Sequence, residues 1–435
     1  MLEKIIDLHI HSKYSRACSK ELELPKIAAA CVKKGIDILS TGDFTHPKWI
    51  EHIEEQLEEE NKGVYKLRNV LPPPLTPPPA GGGIHSIRFV LGTEIACIYK
   101  HKDKVRRLHI LLFAPNIAAV KKLNAVLEER GINIRSDGRP IMGLSAKELL
   151  QIALTIDPAF VMIPAHAWTP WFAIFGSKSG YDSIEECFEE LTPHIRAIET
   201  GLSSDPTMNR RLTQLDNIAM ISNSDAHGLE NLGREANVLA FEDEKDITFT
   251  EIMRIIQEGD RKKFLYTIEF YPEEGKYHND GHAGCKVSLE PEESKREKEI
   301  CPVCKKKLTI GVLHRVDDLA DREVKTIPEN KFIPHKYIVP LREIIGQVFE
   351  VGVASKRVKA EYDRLITLVG SEFYILLHAS LEEILKHASD PLIAKAIENM
   401  RSGKVSVTPG YDGIFGVIEV VGEDRKGKAR QTSLF

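Results

Sequence analysis

The residues of this chain whose types and spacing could do chemistry are histidines, aspartates and glutamates, each at the end of an apolar run. The chain opens with Ile5-Ile6-Asp7-Leu8-His9-Ile10-His11, and the series closes with Met220-Ile221-Ser222-Asn223-Ser224-Asp225-Ala226-His227. Between them come Gly42-Asp43-Phe44-Thr45-His46, Gly92-Thr93-Glu94, Leu108-His109-Ile110, Ile163-Pro164-Ala165-His166 and Ala197-Ile198-Glu199-Thr200. Side chains at i and i+2 of a strand point the same way, so His9 and His11 can face one cavity, and Asp225 and His227 repeat the spacing. Imidazole and carboxylate together suit Zn2+, Mn2+ or iron. Any one of these histidines could be a surface or satisfied core residue. The set together points to metal ions, and metal ions at the mouth of such a strand array point to a hydrolase.

A second set has different chemistry. His282-Ala283-Gly284-Cys285 and Cys301-Pro302-Val303-Cys304 are two knuckles of x₂ spacing, fifteen residues apart. That pattern suits one tetrahedral structural zinc, with His278 a rival to His282 for the nitrogen ligand. Four protein ligands leave no open position, so this site carries no reaction. Lys305, Lys306 and Lys307 follow directly and could favour thiolate or meet phosphate.

The elements that must position the first set are short β-rich runs alternating with helical ones. Strands are expected at 5–10, 36–41, 87–92, 107–114, 160–165, 195–200 and 219–224, and helices at 21–34, 118–129, 145–155 and 182–191. Ser145-Ala146-Lys147-Glu148 has capping-box form. The alternation implies an α/β chain with a parallel sheet closed into a barrel, its ligands at the C-terminal mouth. Residues 72–83, rich in proline and glycine, read as a mobile loop on that face. Beyond 265 the pattern changes. The expected organisation is a barrel over 1–265, a zinc-binding ribbon over 266–312, a mainly helical, DNA-binding domain over 313–424 and a basic tail over 425–435. Helices are expected at 341–349, 355–369, 381–387 and 391–402, followed by a Gly-rich turn between two short strands, Val405 to Val417.

With 435 residues, 42% apolar and 28% charged, the composition is that of a soluble globular protein of two or three domains. No apolar run approaches the ~18–20 residues of a membrane span, and the N-terminus lacks a signal-peptide pattern. Seven cysteines, an odd number, argue for a reducing, cytoplasmic setting. The net charge of −5 does not announce nucleic acid, but residues 295–364 hold 16 Lys/Arg against 11 Asp/Glu. A local basic face can bind phosphates on a chain that is acidic overall.

On His9-Ile10-His11, Gly42-Asp43 with His46, Glu94, His109, His166 and Ser224-Asp225-Ala226-His227, residues 1–265 resemble the PHP (polymerase and histidinol phosphatase) metallohydrolases. The resemblance implies a distorted seven-stranded β/α barrel with two or three metal ions that hydrolyse phosphate esters. It implies that His9, His11, Glu94 and Asp225 hold one ion, that Glu94 bridges to a second on His109 and His166, and that Asp43, His46 and His227 hold a third. Two departures bear on the third ion. Asp43 is followed by Phe44 rather than histidine, and no His or Asp follows the first His-x-His at Tyr14-Ser15-Arg16-Ala17.

Taken whole, with the ribbon, Thr309-Ile310-Gly311-Val312-Leu313-His314-Arg315-Val316 and Pro409-Gly410-Tyr411-Asp412-Gly413, the chain resembles the endonuclease Q family. That resemblance implies a DNA repair endonuclease that cuts 5′ to deaminated bases (hypoxanthine, uracil, xanthine) and at abasic sites, in double- or single-stranded DNA. It implies 3′-hydroxyl and 5′-phosphate products, with Glu94 and Asp225 at the centre. Glu199 would help a water or order a histidine, or else simply form a salt bridge. Zn2+ is the expected ion, with Mg2+ or Mn2+ as alternatives. Trp168, Trp171 and Phe172 could stack on a flipped base or form a packed lid. Tyr411 and Phe415 are further stacking candidates, and Lys305–Lys307, Arg315, Lys356, Arg357 and Lys359 are candidate phosphate contacts. Gln431, Leu434 and Phe435 resemble the start of a motif for the sliding clamp (PCNA). A small-molecule phosphatase or a non-catalytic scaffold are the rival readings.

Overall fold

The computed structural model describes residues 1–68, 87–328 and 331–422. The proline-rich segment 72–83, the basic stretch 425–430 and the clamp-motif residues Gln431, Leu434 and Phe435 lie outside the described residues.

The architecture is mixed α/β. Leu2–Asp7 pairs in parallel with Ile38–Ser40, which pairs in parallel with Arg88–His101. There the direction changes. Arg88–His101 folds back on Lys104–Ala114 as a long antiparallel hairpin, and Lys104–Ala114 runs antiparallel to Val161–Pro164. The two turn residues, Lys102 and Asp103, both have positive φ, the backbone a tight hairpin needs to match strand twist. Ala197–Glu199 and Ala219–Ile221 form a separate parallel pair. Leu8 N donates to Asn223 Oδ1 (2.8 Å) and Ile10 bridges Ala226, tying that pair to the extension of the first strand.

The hairpin corrects one expectation. Glu94 and His109 do not end their strands; both sit inside them, because the apolar series continues through Ile95 and Cys97 on one side and precedes His109 at Leu108 on the other. The first expected strand, 5–10, is found three residues earlier as Leu2–Asp7, and those expected at 36–41, 160–165, 195–200 and 219–224 are found shorter, as Ile38–Ser40, Val161–Pro164, Ala197–Glu199 and Ala219–Ile221. On the far side of Leu2–Asp7 the sheet continues through Ala236–Phe241 and Phe264–Glu269, and then through His335–Tyr337 from the C-terminal part of the chain.

Helices Leu24–Lys34, Ile117–Glu129 and Ala146–Ile156 lie where expected. The capping box at the last is formed, with Glu148 N donating to Ser145 Oγ and Ser145 N to Glu148 Oε2. The helix expected at 182–191 is shorter, Ile184–Phe188, and passes into a 3₁₀ turn, Glu189–His194, that contains Pro193. Leu341–Phe349, Lys356–Leu368, Leu381–His387 and Leu392–Arg401 form the helical C-terminal region, with Glu372–Leu377 added. This region packs on the sheet's helices. Ile27 and Ile36 share one apolar core with Leu341, Tyr362 and Phe373. Buried Lys34 Nζ lies 2.7 Å from Glu372 Oε2. Gly35 (φ 87°) permits this approach, since a Cβ there would lie 2.5 Å from Ser371 Oγ. No described helix is long and apolar enough to cross a membrane.

Candidate metal centre

Two long strands supply Glu94 and His109, and loops leaving other strands carry the rest of the site, several of their residues in unusual backbone conformations. Asp43 (φ 49°), His166 (φ 26°), Phe172 (φ 61°) and Asp225 (φ 47°) all have positive φ without being glycine. Such strain costs of order 1–3 kcal/mol per residue and persists only where surrounding structure over-determines it. Gly42 (φ 61°) precedes Asp43, and a Cβ there would lie 2.5 Å from the Ile10 carbonyl oxygen.

Four donor atoms converge at the first position. His11 Nε2 lies 3.1 Å from Asp225 Oδ1 and 3.3 Å from Glu94 Oε2, while His9 Nε2 lies 3.5 Å and 3.6 Å from the same two oxygens. Nitrogen and oxygen ligands about 2.0–2.1 Å from a tetrahedral ion stand about 3.3–3.4 Å from one another, so these spacings fit a cation at their centre. His9 Nε2 is moreover a buried ring nitrogen with no hydrogen-bond partner. The residues therefore fit the ion that the sequence implies. At the second position Glu94 Oε1 lies 2.7 Å from His109 Nδ1 and 3.2 Å from His166 Nε2, and these two nitrogens are 3.1 Å apart. Three protein ligands leave a coordination position open, as catalytic sites require. Glu94 thus presents one oxygen to each position.

The ligands are oriented from behind. His9 Nδ1 meets both Glu199 oxygens (3.1 and 3.0 Å), so Nε2 is the atom left for an ion. Glu199 also accepts from His166 N (2.8 Å) and Asn223 Nδ2 (2.9 Å). Among the described residues it meets no Lys or Arg in a salt bridge; it bonds two segments that carry candidate ligands. His11 Nδ1 meets Asp43 Oδ1 (3.2 Å), and Asp43 Oδ2 accepts from Ser12 N, Ser12 Oγ and Ser15 Oγ. The lone pairs of Asp43 are spent on this network. His46 stacks on Tyr14 with Nε2 on the Arg135 carbonyl, and His227 Nδ1 meets its neighbour Asp225's carbonyl oxygen. Asp43, His46 and His227 are not brought together as one ligand set among the described residues.

The electrostatics call for positive charge. Burial opposes ionisation of His9, yet Glu199, Asp225 and Glu94 raise its pKa well above the ordinary value. Burial would push the Glu94 and Asp225 carboxyls up. His109, His9 and Arg139 hold Glu94 well below its ordinary value, and His9 and His11 do the same for Asp225. Burial pushes His109 down to about 4, against the opposing pull of Glu94. Arg139, which no spacing in the sequence singles out, places Nη1 3.0 Å from Glu94 Oε2.

The aromatic loop divides. Trp168 is 1% exposed, its indole N–H donates to Asn209 Oδ1 and its ring packs on Phe175, so it belongs to the core and cannot meet a substrate. Phe172 covers His109, with centroids 4.6 Å apart. Trp171 is 39% exposed and meets Tyr277 edge-on. Arg315 is likewise engaged, bonding the carbonyls of Phe175 and Tyr181 and the Asp182 carboxylate. Lys305, Lys306, Lys307, Lys356, Arg357 and Lys359 are exposed. Tyr411 lies over Gly281, where a Cβ would be 2.4 Å from its ring, whereas Phe415 on the same turn is 65% exposed.

In the second cluster His282, Cys285, Cys301 and Cys304 bring one ligand atom each within 4.8 Å of the others, and His278 is not among them. Cys304 Sγ lies 3.8 Å from His282 Nδ1. Backbone N–H groups of Cys304 and Val303 lower the Cys301 thiol pKa. All seven cysteines are free of disulfides.

Comparison with known proteins extends over nearly the whole chain. The lesion-specific endonuclease PfuEndoQ of Pyrococcus furiosus is similar at 30% identity and a TM-score of 0.81, over 96% of this chain and 95% of that one. Endonuclease Q in complex with a 27-mer duplex carrying an abasic lesion at its active site matches with the same identity and TM-score, over 97% of this chain and all of that one. The uncharacterized Bacillus subtilis protein YqxK is 30% identical over 426 residues, covering 95% of this chain and 98% of that protein. Residues 340–404 match the family model of the MJ0043 C-terminal domain.

Proposed function

This chain belongs to the endonuclease Q family, and from that premise we propose that it is a PHP-type, metal-dependent DNA repair endonuclease cutting 5′ to deaminated bases and at abasic sites. The observation that carries the proposal is the tetrahedral spacing of His9 Nε2, His11 Nε2, Glu94 Oε2 and Asp225 Oδ1 beside the open three-ligand position of Glu94, His109 and His166. Divalent ions bound there, Zn2+ with Mg2+ or Mn2+ as alternatives, supply an activated water and a Lewis acid for the departing 3′ oxygen.

The chain's own residues do the rest. Glu199 and Asp43 fix the tautomers of His9 and His11. Glu94 spans the two positions, and Phe172 shields His109 from water. Asp225, 26% exposed, lies on the open face where a phosphodiester enters. Exposed Trp171 and Phe415 are the aromatic surfaces for an unstacked nucleotide, and Lys305, Lys306 and Lys307 offer cations to the backbone. We read the cluster of His282, Cys285, Cys301 and Cys304 as a structural zinc ribbon. The strands from Leu2–Asp7 round to Ala219–Ile221 we read as a distorted seven-stranded barrel, a reading supported by the Leu8–Asn223 and Ile10–Ala226 links. Clamp binding through Gln431, Leu434 and Phe435 remains part of the proposal.

The test uses end-labelled duplexes containing one hypoxanthine, uracil, xanthine or abasic site, incubated with the metal-loaded protein. Cleavage 5′ to the lesion, leaving a 3′-hydroxyl and a 5′-phosphate, is expected. Release of phosphate from small esters without a nick would replace this reading by a phosphatase.

A further inference from the structure

Arg139 stands at the open face of the centre on a backbone built to hold it there. Gly138 N donates to the Tyr14 carbonyl (3.1 Å), and Asp137 Oδ1 accepts from both Arg16 N and Arg139 N (3.1 Å each). A Cβ on Gly138 would lie 2.2 Å from Asp43 Oδ2 and 2.4 Å from Ser15 Oγ, so this loop rests directly on the network that orients His11. From that anchor the guanidinium reaches Glu94 Oε2 at 3.0 Å, the oxygen that also faces His9 and His11. Its side chain is 25% exposed, close to the value for Asp225.

One carboxylate oxygen occupies only part of a guanidinium that carries five donors. Once a divalent ion shares Glu94 Oε2, that oxygen's charge is drawn to the ion. Arg139 then adds to a surplus of positive charge that an incoming phosphodiester neutralises. A planar guanidinium matches two oxygens of a phosphoryl group at once. Resting on the endonuclease reading above, we propose that Arg139 is a catalytic residue: it grips the non-bridging oxygens of the scissile phosphate and stabilises the charge that builds on them during attack. The overall reaction is unchanged hydrolysis, in which a water oxygen bonds to phosphorus and the phosphorus–3′-oxygen bond breaks.

The experiment compares wild type, Arg139→Ala and Arg139→Lys as full-length, metal-loaded proteins. Cleavage is measured on an abasic duplex and on bis(p-nitrophenyl) phosphate. Metal content is measured by elemental analysis and affinity for inorganic phosphate by calorimetry. Loss of one such charge-stabilising donor costs about 10²–10³ in kcat. That loss is expected for Arg139→Ala on both substrates, with full metal content and at least tenfold weaker phosphate binding. Arg139→Lys should recover part of each. Cleavage and phosphate binding within threefold of wild type, or activity lost in step with metal, would overturn the assignment. A wild type that cuts neither substrate overturns the endonuclease reading instead, and the phosphate titration still decides whether Arg139 binds the anion.

Discussion

The two nitrogens of His9 divide their work, Nδ1 held by Glu199 and Nε2 left for an ion. Removing such a supporting carboxylate lowers metal affinity about 10–100-fold. Glu199→Gln is expected to show that loss in a competitive chelator titration while keeping its fold; unchanged affinity would mean Glu199 is mere packing. Protonation supplies a second check. The surrounding carboxylates raise His9 and His11 well above their ordinary 6.5 despite burial. A raised folded pKa stabilises the metal-free protein fully below about pH 6.5, and that stability is lost as pH rises through the folded values. Metal needs the unprotonated nitrogens, so its effect runs the other way. The gain in Tm on adding metal should therefore grow between about pH 6 and pH 8; a gain that shrinks over that window contradicts the ligand assignment. The candidate ligands that the structure brings together were legible because imidazole and carboxylate recur after apolar runs. Arg139 was not, because a single arginine after Asp137-Gly138 has no periodic partner to mark it.

At the scale of elements, apolar runs located the strands, but they could not say where a strand stops. The Arg88–His101 hairpin continues past Glu94 through a Lys102-Asp103 turn that lacks the Asn-Gly signature yet takes its backbone conformation. Residue type could not divide the aromatic loop either. Trp168 and Trp171 are three positions apart, and only the presence of Asn209 and Phe175 beneath the first makes it core. The knuckles at Cys285 and Cys301 were legible from spacing alone, since x₂ pairs have few other uses. If they hold one zinc in a self-contained element, Cys304→Ser should lose one equivalent of zinc and hydrogen-exchange protection across 280–309. Ions at the two positions that share Glu94 should remain. Loss of all metals together would contradict the separation of the two sites.

For the whole molecule, the C-terminal helices are joined to the sheet by a shared core, by the Lys34–Glu372 pair and by the strand His335–Tyr337. None of these was visible in the sequence, because each joins residues far apart that carry no common pattern. Together they join the C-terminal helices and the sheet that leads into the candidate metal centre into one frame. Such a frame suits a substrate that must be held on both sides of a distorted nucleotide. The two-position centre is proposed to cut DNA at lesions. Its most direct test is single-turnover cleavage of paired duplexes, identical except for one abasic site, by wild type, by His9→Ala and by Asp225→Asn, each before and after chelation. Metal-dependent nicking of the abasic strand alone by wild type, and none by either variant, is expected. Cleavage that survives chelation or either substitution, or that ignores the lesion, would contradict it.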